Sequence, residues 1–269
     1  MSWELWLLQH EISVRLGFFF GIFLLMAGWE FLKPCRRQKY GRLLRWSNNL
    51  ALVFLNSFLL RILFPAAAVG VALYVEEQGF GLLQQLPIPI FLSAFIAVVV
   101  LDLLIYAQHV LFHKVPILWR LHRVHHADPD YDVTTGARFH PIEIILSMLI
   151  KSAAIIVLGA PAVAVIIFEV LLNASAMFNH ANIRLPKSVD KLLRWILVTP
   201  DMHRVHHSQI RVETDSNYGF ALSWWDRIFK TYRAQPQKGH LQMDIGVSGL
   251  QDVKQVCLLP GILLLPFKK

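Results

Sequence analysis

Histidine recurs in one pattern, His-x-x-His-His, at His122, His125 and His126 and again at His203, His206 and His207, and the pair His109 and His113 lies just upstream of the first copy. Positions i, i+3 and i+4 share a helix face, so each triplet can aim three imidazoles at one point, and the i, i+4 pair adds two more. Eight imidazoles exceed the four places of a tetrahedral zinc, which implies two metal ions. Neutral imidazole suits iron, zinc, copper or nickel, so ligand type leaves the element open. The sequence contains neither Glu-x-x-His nor His-Glu-x-x-His. That removes the carboxylate di-iron bundle and the usual zinc protease. Cys35 and Cys257 are the two cysteines, too few for a disulfide framework or a thiolate site, and both read as inert structural residues.

The elements that must carry these histidines are membrane helices. Hydrophobic residues make up 55% of the 269 positions and charged ones 16%, the balance of an integral membrane protein. A first span runs from about Ile12 to Leu32, and Lys33, Arg36, Arg37, Lys39, Arg42 and Arg45 follow with no acid among them. The positive-inside rule places that loop in the cytoplasm. No basic stretch precedes the span and no small-residue cleavage site follows it, so it reads as a retained helix rather than a signal peptide. The net charge of +8 is accounted for by orientation, and with no nucleic-acid motif no nucleic-acid partner is expected.

A second apolar stretch covers about Asn49 to Val75, with Arg61 in its middle. A membrane arginine should face the interior or a headgroup path, in a structural ion pair sooner than a substrate contact, or mark a break near Pro65. The third span, about Ile90 to Gln108, returns the chain to the cytoplasmic side and runs into His109. From Ile144 to Phe178 the 35 mostly apolar residues would make a helix about 52 Å long, against a hydrocarbon core of about 30 Å. A hairpin turning near Gly159 is therefore expected, and it keeps both histidine triplets on one side of the membrane. The closing segment VCLLPGILLLPF is too short to span and should lie at the interface or on the bundle. The reading is an all-α integral membrane protein, with about four transmembrane helices or helical hairpins under a cytoplasmic histidine-rich helical cap. It divides as 1–89, an N-terminal transmembrane region, 90–235, the metal-binding domain, and 236–269, an interfacial tail, all one integral unit.

The chain resembles the fatty acid hydroxylase and sterol desaturase superfamily of integral-membrane oxygenases. The resemblance runs from about Asp102 to Tyr232 through DLLIYAQHVLFHKVPILWRLHRVHHAD, RFHPIE, FNHANIRLP, TPDMHRVHHS and NYGFALSWWDRIFKTY. It implies a dinuclear iron centre (Fe2+/Fe3+), with zinc an alternative occupant after purification, that activates O2 to hydroxylate or desaturate a lipid C–H bond. His109, His113, His122, His125, His126, His203, His206 and His207 would be ligands, and His180, placed between the second and last clusters, a ninth. His140, Glu143 and Asp102 are candidates to orient those imidazoles or line the substrate pocket; Glu143 is three residues from His140, and Asp102 seven before His109 on one helical face. Asn217 and Asp226 match family positions without a role that spacing supplies. Val110 and Lys230 depart from the common pattern, and neither is a ligand position. With no haem-binding His-Pro-Gly-Gly stretch and no flavin fingerprint, electrons should come from a separate donor protein. The alternative in another class is a histidine-rich membrane metal carrier or sensor; it is disfavoured because the clusters lie outside the apolar spans.

Overall fold

The computed structural model describes residues 2–268 and is built from helices, with no β-strand among the described residues and two isolated bridges, Leu197 to Leu222 and Ser208 to Ile245. In a bilayer every backbone polar group must find its partner within the protein, which favours this all-helical solution. A short α1 (Trp3–Gln9) leads into α2 (Glu11–Leu32), then α3 (Arg42–Leu63), α4 (Ala67–Gln78), α5 (Ile90–Lys114) and α6 (Pro116–His126). The hairpin follows as α7 (Pro141–Leu158) and α8 (Ala162–Asn179), and then α9 (Lys187–Leu193), α10 (Pro200–His206) and shorter turns of helix. Five tracts are long and apolar enough to cross a membrane: Glu11–Leu32, Arg42–Gln85, Ile90–Lys114, Pro141–Leu158 and Ala162–Asn179.

The second apolar stretch is not one helix. Pro65 lacks an N–H and pushes the residue before it out of the helical region, so α3 stops at Leu63 and α4 starts, after a short turn, at Ala67, whose φ is 51°. Arg61 sits in the last turn of α3, exposed, and among the described residues it has no ion-pair partner. An exposed arginine beside the break at Pro65 fits the headgroup path as well as the break, and the expected ion pair is absent among the described residues because the side chain points out of the bundle.

The hairpin turns where the apolar length requires. Gly159 caps α7 in the left-handed region at φ 66°, and its N–H reaches the carbonyls of Ile155 and Ile156. A side chain there would also collide with the loop after α4, since its Cβ would lie 2.6 Å from the Phe80 carbonyl oxygen. This close approach marks the end of the bundle remote from the histidines. At the other end the Glu30 carboxylate accepts from the N–H groups of Val133 and Asn182, both at 2.7 Å, tying the end of α2 to the cap. Between the two ends the apolar core gathers Leu101, Ile105, Ile155, Val165, Ile166 and Phe168. One polar knot interrupts it. Lys151 of α7 and Arg15 of α2 both pair with Glu169 of α8, the arginine at 2.9 Å, so each buried charge has a partner.

The cap is fastened by a second buried network. Arg45 is fully buried and reaches Asp128 at 2.7 Å and Asp132 at 2.5 Å, and Asn49 donates to Asp128 at 3.2 Å and Thr134 at 3.0 Å. The arginine beside it holds the Asp128 carboxyl down, at about 2. The C-terminal segment packs on α3 and α6, where guanidinium groups meet its backbone: Arg120 donates to the Pro266 carbonyl at 2.7 Å, Arg123 to Leu265 at 2.6 Å and Arg138 to Val256 at 2.6 Å.

Candidate metal centre

Four helices deliver nine histidines to one buried volume. The last two turns of α5 present His109 and His113. Pro116 starts α6 as its first helical residue, where its missing N–H costs nothing, and the helix then carries His122, His125 and His126 on one side. His180 ends α8. In α10 the Thr199 hydroxyl caps the N-terminus and Pro200 follows it, setting His203, His206 and the capping His207. All nine are between 0% and 6% exposed, so water is excluded from around them.

They fall into two groups within which the nearest ligand atoms all lie inside 4.8 Å: His109, His113, His122, His126 and His206, and His125, His180, His203 and His207. In the first group Nε2 of His113 stands 3.1 Å from Nε2 of His126. In the second, Nε2 of His180 is 3.1 Å from that of His125, 3.1 Å from that of His203 and 3.2 Å from that of His207.

Partners on the far side of four rings decide which nitrogen is available. Nδ1 of His109 donates to the Tyr218 carbonyl at 2.7 Å, that of His206 to the Ser216 carbonyl at 2.7 Å, and that of His180 to the Ala176 carbonyl at 2.8 Å. Nδ1 of His122 lies 2.6 Å from Oε1 of Glu143, within hydrogen-bond distance. A carbonyl oxygen can only accept, so the neutral rings of His109, His180 and His206 keep the lone pair on Nε2, and an ionised Glu143 would set His122 the same way. Burial pushes His122 and His180 down to about 3. Burial and the neighbouring imidazoles likewise lower His125, His126, His203, His206 and His207. The rings are neutral, the state a metal requires.

The donor set fits a metal better than it fits a hydrogen-bond network. The single lone pair on Nε2 of His180 faces three other ring nitrogens, and one lone pair accepts one linear bond. Nε2 of His109, His122 and His206 is buried with no hydrogen-bond partner. Imidazole nitrogens lie about 2.0–2.1 Å from a bound ion, so two of them at right angles on one ion stand about 3.0 Å apart. The observed nitrogen separations match that spacing.

Of the residues expected to orient the ligands, Glu143 contacts His122 directly. Asp102 does not contact His109. Seven residues on one helix are about 10.5 Å apart along the axis, beyond the reach of an aspartate, and its carboxylate instead accepts from Trp225 Nε1 at 2.8 Å, Leu222 N–H at 3.2 Å and Ala221 N–H at 3.3 Å. His140 lies outside both groups. It caps α7, with Nδ1 accepting from the Ile142 N–H at 3.2 Å and Nε2 donating to the Leu263 carbonyl at 3.2 Å.

Asn217 and Asp226, to which spacing gave no role, shape the segment whose carbonyls hold His109 and His206. Asn217 adopts φ 53° and donates to the carbonyls of Met202 at 2.9 Å and Arg233 at 2.8 Å. Asp226 accepts from the N–H groups of Tyr218 and Gly219, both at 2.8 Å, and from Thr231 at 2.6 Å. Sequence reasoning missed two aromatic walls: Phe139, stacked on His125 at 4.5 Å and 7°, and Tyr131, 5.0 Å from His207 with its hydroxyl donating to the Asn179 carbonyl at 2.6 Å.

The family model described as fatty acid hydroxylase matches residues 94–231. The chain is 28% identical over 161 residues to an ornithine lipid hydroxylase, OlsE, of Rhizobium tropici, covering 60% of this chain and 47% of that protein. It is 30% identical over 151 residues to the alkylglycerol monooxygenase of Homo sapiens, with 54% of this chain and 31% of that protein covered. For the alkylglycerol monooxygenase of Xenopus tropicalis the identity is 33% over 136 residues, with 49% and 29% covered. The chain thus spans less than half the length of these relatives, and no solved structure matches it. All nine clustered histidines lie within residues 94–231, and the chain belongs to the fatty acid hydroxylase family.

Proposed function

We propose that the protein is a membrane-bound di-iron oxygenase that hydroxylates, or desaturates, a lipid C–H bond with O2 and electrons from a separate donor protein. The observation that carries this reading is the pair of adjacent, buried imidazole groups, five and four strong, each with lone pairs turned inward. His109, His113, His122, His126 and His206 would hold one iron, and His125, His180, His203 and His207 the other. Bound there, the pair of ions supplies O2 activation.

The protein's own residues do the positioning. Glu143 and the carbonyls of Tyr218, Ser216 and Ala176 fix the ring tautomers so that no ligand has to reorient. Burial of all nine rings keeps bulk water from an oxidising site. In hydroxylation one oxygen atom goes to the lipid and the other leaves as water, which consumes two electrons and two protons; desaturation consumes the same and releases two waters. The basic loop Lys33–Arg45 lies at the histidine end, where Cys35 N–H donates to the Asn182 carbonyl at 2.7 Å and Arg36 to the Met243 carbonyl at 2.7 Å. That loop supports a cytoplasmic location for the site.

Incubation of iron-loaded protein with membrane lipid, reductant and isotopically labelled O2 tests the reading by mass spectrometry. A lipid gaining one labelled hydroxyl, or losing two hydrogens, is the expected result. Label arriving from water, or full activity without O2, would replace the oxygenase with a metal-assisted hydrolase.

A further inference from the structure

One aromatic side chain joins the first histidine group to the protein surface. Trp119 is half-buried, and its ring centroid lies 4.9 Å from that of His113, 5.3 Å from His126 and 6.4 Å from His122. Its outer side is covered by the Arg211 guanidinium, 5.2 Å from the ring centroid. Arg211 also donates to the His113 carbonyl at 3.3 Å and to Asp215 at 2.8 Å. Lys114 stands alongside, 3.7 Å from Asp215. The side chains of Lys114 and Arg211 are 58% and 59% exposed, so two accessible cations share one carboxylate and the patch keeps a net positive charge. By contrast Tyr131 and Tyr218, which also pack on the histidines, are 2% and 1% exposed. Exposed Leu111 and Ile117 mark the bilayer edge of the same region. Lys114 and Arg211 therefore sit at the rim of the cap, just outside the membrane.

We propose that an acidic one-electron carrier protein docks over Trp119 against Lys114 and Arg211, and that electrons enter the His109, His113, His122, His126 and His206 group through that indole. The proposal rests on the oxygenase reading above and names the partner's face. Each docking event oxidises the carrier by one electron, and two events supply the two electrons of the O2 balance. The charges steer encounter and set its register, and the indole brings the carrier within one side chain of the histidines. The second group has no such access among the described residues, since its rings are backed by buried Tyr131 and by Phe139 on the side of the apolar core.

The docking arm is measured on metal-free, full-length protein in nanodiscs of neutral phosphatidylcholine, so neither oxygen chemistry nor lipid charge contributes. The probe is an acidic [2Fe–2S] ferredoxin. Saturable binding is expected, weakening by about tenfold or more in Lys114→Glu/Arg211→Glu and by about threefold in Lys114→Glu, which leaves the Arg211 bonds intact. At saturating ferredoxin, with occupancy followed separately by calorimetry, Trp119→Phe should lose the part of the tryptophan quenching that the bound cluster causes. Wild-type binding by the double variant, or full quenching in Trp119→Phe, overturns the proposal. An equal loss from Lys33→Glu/Arg37→Glu overturns it too, since the general positive field would then explain the binding. If instead binding behaves as expected and the iron-loaded wild type makes no O2-dependent product, the oxygenase reading fails and the docking face stands.

Discussion

Replacing Glu143 separates the two things a carboxylate does behind a ligand. Its Oε1 lies 2.6 Å from Nδ1 of His122, and the two side chains are 5% and 4% exposed. Glu143→Gln keeps the volume and still offers an oxygen to the Nδ1 proton, so the tautomer survives. What it loses is the negative charge that an ionised Glu143 would set behind a cation bound at Nε2 of His122. Hydrogen bonds to a charged group contribute about 1.5–3 kcal/mol and neutral ones about 0.5–1.5 kcal/mol. The difference, about 1–1.5 kcal/mol, corresponds to metal binding roughly 5- to 13-fold weaker. Glu143→Leu leaves no acceptor, and an unpaired buried N–H costs about 1–3 kcal/mol. Binding should then fall by about a hundredfold, the upper end of what loss of a ligand's supporting group produces. Titration of the nanodisc-embedded protein with Fe2+ against a competing chelator should show two transitions, of which one moves with the Glu143 variants and the other, belonging to the His180 group, stays. Two transitions moving together, or Glu143→Leu binding as tightly as Glu143→Gln, would refute the assignment of Glu143 to His122.

Gly136→Ala should lower the metal content from two ions per chain toward one, measured by elemental analysis, because the added Cβ would lie 2.5 Å from the Ala176 carbonyl oxygen and 3.1 Å from His180 Nδ1, disturbing the bond that orients His180. Acid should loosen the cap by a defined step. With Asp128 held at about 2 against the ordinary aspartate value of 3.8, its charged pairing with Arg45 stabilises the fold by on the order of 2 kcal/mol above about pH 4 and loses that contribution as pH falls toward 2; Asp128→Asn should remove the step and cost about 3–5 kcal/mol near neutrality, as followed by chemical denaturation in detergent. In a Cys35→Ser background, cysteines placed at Lys191 and Lys254 should be labelled from one side of the membrane and one at Gln78 from the other, and any other partition would contradict the hairpin.

How much of this was legible follows from the range of each interaction. Helical spacing within one element reveals the triplets, and length against bilayer thickness reveals the turn at Gly159. The same turn explains a pairing that sequence reasoning missed: Lys151 stands eight residues before Gly159 and Glu169 ten after it, so folding the hairpin there brings the two level. What spacing conceals is where a side chain goes when it leaves its own helix. Asp102 shares a face with His109 yet bonds across to the segment after α10. His140 shares a face with Glu143 yet spends both ring nitrogens on backbone, one capping α7 and the other holding the C-terminal segment. Arg45 reads as one more positive charge after the first span, while in the fold it is among the most buried side chains and its partners lie more than 80 residues away.

The segment NYGFALSWWDRIFKTY contains no histidine, and its part in the site is to be rigid. Two of the four acceptors that fix ligand tautomers are backbone carbonyls on either side of Asn217, and a carbonyl can be aimed only by fixing the chain around it. Asn217 does this from its positive-φ position by bonding to α10 and to residue 233, and Asp226 by collecting the two N–H groups that follow. Asp102 then holds the far end of the same loop against α5. The acids and amides of this region therefore act on the histidines through the backbone, at one remove. A motif can be bound to the metal site by geometry while holding no ligand, and spacing among ligating residues alone would never point to it.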